Sequence, residues 1–243
     1  MNFYGKTVIV TGAASEIGKK TVRQFLCSDA RVAAVDIDQD RLDNLIKENH
    51  DKIGQLLILS TDITNSSDVD KTVARIANWS GRIDILVNMA GICQQSVITE
   101  ITDKTTWDIL TKNDLYGTFY FCRSVAKVMV KFKYGKIINF TSILGEKGLP
   151  SNRYNVAKKG IEGFSKSIAL ELAKHNINVN IINTPILNNK VLSERGAILL
   201  QSIPLGRFGE PEDVVKAVFF LSSEYSDYIT GITLDVNGGM YIR

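Results

Sequence analysis

Thr7-Val8-Ile9-Val10-Thr11-Gly12-Ala13-Ala14-Ser15-Glu16-Ile17-Gly18 is the stretch that decides the fold. It opens as a short apolar strand signal, passes through a turn with glycines, and enters a helical stretch that runs to Leu26. Strand, glycine-bearing turn and helix form the dinucleotide-binding arrangement. A pyrophosphate sits over the helix N-terminus, where backbone N–H groups and the helix dipole favour negative charge. Gly12, Ser15, Ile17 and Gly18 are therefore the first candidate cofactor contacts. A second strand, Arg31 to Val35, ends at Asp36, close to the ~20-residue offset at which an acidic side chain accepts hydrogen bonds from ribose hydroxyls. Asp36 can equally serve as a turn-forming or helix-capping residue before the helical stretch 39–49.

Working outward, short apolar runs recur at Leu56–Leu59, Ile83–Val87, Lys136–Phe140, Asn178–Ile182 and Thr233–Val236. Such runs suit strands buried on both faces. Between them, apolar residues return at helical spacing: Val69, Val73 and Ile76; Ile161, Phe164, Ile168 and Leu172; Val214, Val218 and Leu221. Pro211 followed by Glu212 and Asp213 reads as a first helical turn, with acidic charge at the positive end of the dipole. The alternation predicts an α/β chain with a single doubly wound, parallel, seven-stranded sheet (a Rossmann fold) and helices on both faces. Residues 1–243 read as a single domain. The least regular segment, 184–203, follows the sixth strand. Ligands of such sheets bind beyond the carboxyl ends of strands, which suits this segment to covering a substrate.

Bulk composition narrows the function. The chain has 243 residues and 44% hydrophobic content; 29 basic and 26 acidic residues leave a net charge of +3, no bias toward nucleic acid or a membrane surface. Cys27, Cys93 and Cys122 are widely spaced, as reduced thiols in a cytoplasmic protein would be. No apolar run approaches the ~20 residues of a membrane span, and no leader pattern precedes the first strand. His50 and His175 are isolated, so no metal site is expected.

The chemistry is concentrated in Ser142 and in Tyr154-Asn155-Val156-Ala157-Lys158. On a helix, residues at i and i+4 share one face, so the Tyr154 phenol and the Lys158 ammonium point into the same space. A neighbouring cation favours the phenolate, and a phenol tuned that way exchanges a proton with an alcohol or ketone oxygen. The Ser142 hydroxyl, at a strand end, can hydrogen-bond the same oxygen. These residues suit redox chemistry between a carbonyl and a secondary alcohol, with a nicotinamide carrying hydride. The plainer reading, a surface Tyr and Lys on an amphipathic helix, does not account for the serine or the nucleotide turn.

With these residues in view, the chain resembles the short-chain dehydrogenases/reductases over nearly its whole length. The family's T-G-x-x-x-G-x-G falls on Thr11 to Gly18, its adenine-pocket acidic residue on Asp62 in Asp62-Ile63-Thr64, and its N-N-A-G segment on Asn88-Met89-Ala90-Gly91. The resemblance implies cofactor contacts at Asp62, Ile63, Ala90 and Gly91, with Asn88 in the cofactor region but chiefly structural. Ser142, Tyr154 and Lys158 fall on its catalytic serine, tyrosine and lysine, and Lys158 is also expected to hold the nicotinamide ribose. The closing stretches, 203–209, 228–231 and 236–240, are similar to 3-oxoacyl-acyl carrier protein reductases. Relatives that prefer NADP commonly carry a basic residue at the position of Ser15. With Ser15 and Asp36 in those two places, NAD(H) is favoured over NADP(H), which counts against a biosynthetic reductase, since those more often use NADPH.

Three positions depart from the family pattern. Glu16 replaces its middle glycine, which either weakens nucleotide binding or turns a side chain outward at little cost. Aligned from Trp107 and Gly117, the family's catalytic asparagine falls on Asp114, with Asn113 one register off. An aspartate there offsets part of the Lys158 field. Thr184-Pro185 replaces Pro-Gly after the sixth strand, and Asn189 stands where a threonine often meets the nicotinamide carboxamide. These changes admit a rival reading, a nucleotide-binding module or weakly active partner subunit.

The substrate is less sharply defined. Ile186, Leu187, Val191, Leu192, Ile198, Leu199, Leu200 and Ile203, with Leu144 and Leu149 near the serine, either dock a lid or line an apolar substrate chain. The resemblance implies a 3-oxoacyl thioester as substrate; a 3-hydroxyacyl or other secondary-alcohol dehydrogenase is the alternative. It also implies an acyl carrier protein partner, with Lys133 and Lys174-His175 as basic contacts. It further implies a homotetramer built across helices near 115–130 and 161–172 and across the stretch 233–243.

Overall fold

The computed structural model describes residues 1–91, 108, 112–146, 152–187 and 194–243. The strands are β1 (Thr7–Thr11), β2 (Arg31–Asp36), β3 (Leu56–Ser60), β4 (Ile85–Asn88), β5 (Gly135–Ser142), β6 (Ile177–Thr184) and β7 (Thr233–Asp235). They form one seven-stranded sheet in the order β3-β2-β1-β4-β5-β6-β7, and every pairing is parallel. The longer helices are α1 (Glu16–Cys27), α2 (Gln39–Glu48), α3 (Ser66–Ser80), α4 (Gly117–Phe132), α5 (Asn152–Ala173), α6 (Glu194–Gln201) and α7 (Pro211–Ser222).

Alternation along each buried strand divides the core between the two faces. Val8, Val10, Val32, Ala34, Ile85 and Val87 point to one side and join Phe25, Leu42 and Val218 from α1, α2 and α7. Ile9, Ala33, Val35, Leu86 and Ile137 point to the other and join Val73, Val125 and Leu172 from α3, α4 and α5. A period of 2 on a sheet covered from both sides produces this division. Helix ends follow local chemistry. Ser15 Oγ accepts from Gly18 N at 3.1 Å and caps α1, Asn65 caps α3, and Gly81 at φ +78° ends α3. At α7 the Asp213 carboxylate accepts from Glu210 N, with Pro211 in the first turn.

Two strands run past their apolar runs. β5 continues to Ser142 and β6 to Thr184, pairing Thr141 with Asn183 and Ser142 with Thr184. The polar residues hide this extension in the sequence, but the ladder uses backbone groups, and Thr184 Oγ1 donates to Thr141 O at 2.9 Å. The serine hydroxyl is thus carried on the last residue of a central strand. Order reverses between β1 and β4, which opens the crevice where ligands of doubly wound sheets bind. No described helix is long and apolar enough to cross a membrane.

Candidate active site

The turn after β1 is bare backbone pressed against the turn after β4. Gly12 has φ +66°, and a Cβ there would come within 2.9 Å of Ala90 N. Ala90 N in turn donates to Thr11 Oγ1 at 3.2 Å. Only glycine meets both demands at position 12. Gly12, Ser15, Asp36, Asp62, Ile63, Ala90 and Gly91 line one cleft at the amino end of α1. A cradle of exposed backbone at a helix N-terminus fits a dinucleotide pyrophosphate. Ile17 packs against the core, so only its backbone faces the turn. Glu16 is exposed as the first residue of α1. The positive-φ residues other than glycine, among those described, are Asp29, Lys133 and Asn176, so Glu16 carries no such strain in place of the family's glycine.

The acidic residues near the cleft are partly spent on backbone. Asp36 Oδ2 accepts from Ala14 N at 3.0 Å, and Oδ1 accepts from Asp38 N at 3.2 Å. The helix-capping role belongs to Asp38, whose Oδ1 accepts from Arg41 N. Asp62 Oδ1 closes a tight turn by accepting from Thr64 N and Oγ1. Asn88 faces inward: its Nδ2 donates to Asn139 Oδ1 at 2.8 Å, and Asn139 Nδ2 donates to Ser165 Oγ, tying β4 and β5 to α5.

Ser142, Tyr154, Lys158 and Asp114 are all buried. Lys158 Nζ lies 5.3 Å from the Tyr154 ring centroid, as the i,i+4 spacing on α5 requires. It also lies 3.7 Å from Asp114 Oδ1, which the π-helical turn Lys112–Tyr116 brings in from across the site. Attraction at such a distance is worth about 4 kcal/mol at an effective dielectric near 20. Desolvation costs several kcal/mol per ion, so the pair fixes geometry more than it stabilises the fold. Gly91 joins the two halves: it lines the nucleotide cleft, and its α-carbon sits against Asp114 and Lys158. Ser142 Oγ accepts from Leu144 N at 3.3 Å, which starts the helical turn Ile143–Glu146. Beyond it, Ile143, Ile203 and Met240 form a small apolar cluster with Leu144, Ile186 and Leu199 against it. Asn189 lies outside the described residues, as do Leu149, Val191, Leu192, Cys93 and Trp107.

A family model described as enoyl-(acyl carrier protein) reductase matches residues 12–241. The 3-oxoacyl-[acyl-carrier-protein] reductase FabG of Thermotoga maritima is 36% identical over 248 residues, covering 100% of both chains. The Escherichia coli protein of the same name is 34% identical, again over 100% of both. Carbonyl reductase family member 4 of Xenopus laevis is 36% identical over 98% of this chain and 99% of its own. The chain belongs to the short-chain dehydrogenase/reductase family. It is an oxidoreductase acting on CH–OH and C=O groups.

Within this family, one expectation from the sequence is overturned. NAD(H) was favoured over NADP(H) on Asp36 and on the lack of a cation opposite it. The full-length relatives are 3-oxoacyl-acyl carrier protein reductases, the class for which the resemblance implies NADPH, and they do not support that preference. The structure supplies the physical reason. The Asp36 carboxylate is engaged by two backbone N–H groups, and Arg41, whose Nε pairs with Asp38 Oδ2 at 3.2 Å, lines the same cleft. Arg41, Ile37, Thr61 and Met89 were all missed from the sequence. The signal for Arg41 was available: it stands three residues after Asp38, in the first turn of a capped helix.

Proposed function

We propose that this protein reduces the keto group of a 3-oxoacyl thioester with a nicotinamide nucleotide, using Ser142, Tyr154 and Lys158, with Asp114 behind the lysine. The observation that carries the reading is the burial of Tyr154 beside Lys158, whose Nζ lies against Gly91, a residue that also lines the nucleotide cleft. The bound nucleotide supplies hydride to the carbonyl carbon. Tyr154 gives its phenolic proton to the oxygen as negative charge develops there, and Ser142 Oγ donates a hydrogen bond to the same oxygen. Lys158 stabilises the phenolate left behind. Asp114 holds the ammonium in place and offsets part of its charge, which an asparagine would not do.

Two of the relatives' names, 3-oxoacyl reductase and carbonyl reductase, specify a carbonyl, whereas the family description specifies an enoyl group. In this reading two hydroxyls serve one substrate oxygen, which suits a carbonyl and has no use in an enoyl double bond. The apolar cluster beyond Ser142 suits an acyl chain.

The partner readings follow from surface features. Tyr116, Phe119 and Leu170 on α4, α5 and the turn before them are exposed, as helices that pack across a homotetramer axis would be. Asn176 Nδ2 donates to Lys133 O, so Lys133 and Lys174 stand together near the amino ends of β5 and β6. That edge is remote from Ser142. These lysines could guide an acidic acyl carrier protein only toward the site of a neighbouring subunit.

The test is oxidation of NADH and of NADPH with an acetoacetyl thioester, beside a crotonyl thioester and the reverse reaction with a 3-hydroxybutyryl thioester. Tyr154→Phe is the control. Turnover of acetoacetyl but not crotonyl thioester, lost in Tyr154→Phe, is expected. Tight nucleotide binding with no Tyr154-dependent turnover would move the protein to the binding-module reading.

A further inference from the structure

Several ion pairs among the described residues are solvated surface contacts, such as Lys71 with Asp68. One group differs. Glu146 and Glu162 keep side-chain exposures of only 4% and 9%, and they close a ring with two cations. Lys159 Nζ contacts Glu146 Oε2 at 2.6 Å and Glu162 Oε2 at 3.1 Å. Arg243 completes the circuit, with Nη2 donating to Glu146 Oε1 at 2.8 Å and Nη1 to Glu162 Oε1 at 3.1 Å. Its third nitrogen, Nε, donates to Asp235 Oδ2 at 2.8 Å, and Asp235 Oδ1 accepts from Asn183 Nδ2 on β6. A planar guanidinium is the side chain suited to joining three carboxylates in fixed directions.

The placement of those carboxylates gives the ring its meaning. Glu146 ends the helical turn that begins just after Ser142. Glu162 is one turn beyond Lys158 on α5, and Lys159 is its immediate neighbour. Gly145 lies against Lys158, where a Cβ would be 3.6 Å from the lysine Cβ. The ring therefore fastens the serine's turn to the helix of the tyrosine and lysine. Glu162 shows the field at work: burial pushes its carboxyl up, yet Lys166 and Lys159, with Arg243, hold it down at about 2.

We propose that Arg243 is a positioning residue for the reaction: it sets the spacing between Ser142 and Tyr154 by clamping Glu146 to Glu162. The proposal rests on the preceding reading that those two hydroxyls share one substrate oxygen. Without Arg243, Glu146 and Glu162 are joined by Lys159 alone, the turn after Ser142 relaxes, and the hydroxyls no longer converge. A shift well under 1 Å is enough to slow the chemical step while binding persists.

The experiment compares Arg243→Gln, Arg243→Lys, Glu146→Gln and Lys166→Ala with the full chain, measuring kcat and KM for an acetoacetyl thioester, nucleotide affinity by fluorescence, and Tm. Arg243→Gln and Glu146→Gln are expected to lower kcat about tenfold, with nucleotide Kd within about twofold. Arg243→Lys regains part of kcat, and Lys166→Ala, which touches Glu162 outside the ring, keeps it. A wild-type kcat in Arg243→Gln overturns the proposal, whatever happens to Tm. If Arg243→Gln does not fold, Glu146→Gln decides by the same criterion. Tyr154→Phe is run alongside. If it is inactive while Arg243→Gln is fully active, only the Arg243 proposal falls; if it stays active, the reading of the site fails and the proposal fails with it.

Discussion

Gly91→Ala tests the join between the nucleotide cleft and the reacting groups. Gly91 is not among the positive-φ glycines, so alanine fits its backbone, and only space is at issue. The added Cβ would stand 3.1 Å from Lys158 Nζ and closer still to Asp114 Oδ1, whereas ordinary contact begins at 3.4 Å. The lysine end could yield a few tenths of an ångström. Asp114 has a short, fully buried side chain that pairs with Lys158, so swinging away would break that contact. Relief therefore requires movement on the order of 1 Å in the turn bearing Asp114 or in the loop bearing Gly91. Overpacking of this kind costs about 1–3 kcal/mol of stability. Displacing Lys158 from its tyrosine costs up to about 100-fold in kcat, equivalent to about 2.7 kcal/mol. The assay is steady-state turnover of an acetoacetyl thioester with thermal melts and nucleotide titration. A second measurement isolates the cause: the Tm loss of Gly91→Ala combined with Asp114→Ala is expected to be smaller than the sum of the two single losses, because the clashing carboxylate is gone. Gly91→Ala with kcat within about twofold of wild type and unchanged Tm would refute the packing described here.

Other consequences follow from single contacts. Asn139→Leu leaves the Asn88 amide with only Cys122 Sγ as acceptor and removes the donor to Ser165 Oγ, which keeps its bond to Ile161 O, and a loss of about 1–3 kcal/mol by chemical denaturation is expected. Glu162 and Asp213 both titrate at about 2 in the fold, below their ordinary 4.5 and 3.8, so their contribution is complete above those ordinary values and fades as pH falls from them toward about 2. The melting temperature should drop across that window, and less steeply in Glu162→Gln. Burial pushes the Cys122 thiol up to about 12, while Cys27 is exposed. Brief alkylation followed by mass spectrometry should modify Cys27 and spare Cys122 until the protein unfolds. Lys133→Glu should raise KM for a carrier-linked substrate several-fold and leave a small thioester unaffected, as expected for a rim charge that steers its partner.

The features legible in the sequence are those encoded by local spacing. Tyr154 and Lys158 share a helix, so their meeting follows from periodicity, and the turn from Gly12 to Gly18 announces its cradle through residues that are contiguous. The unbroken apolar run Val8-Ile9-Val10 predicts a strand buried on both faces, and the two-sided core has that form. What stayed hidden depends on elements that meet only after the chain has folded. Asp36 reads from the sequence as a ribose acceptor or a turn-forming or capping residue, and nothing in its own neighbourhood shows Ala14 N, 22 residues earlier, reaching it as a donor. Arg243 is the extreme case. Its partner Glu146 is 97 residues away and Glu162 is 81, and no periodicity connects them. Three carboxylates on a turn, a helix and a strand become a binding site for one guanidinium only because the parallel order places β7 beside β6 and β6 beside β5. The sheet that carries Ser142 to the end of β5 thus also brings Arg243 to Glu146, at the end of the turn that follows that serine.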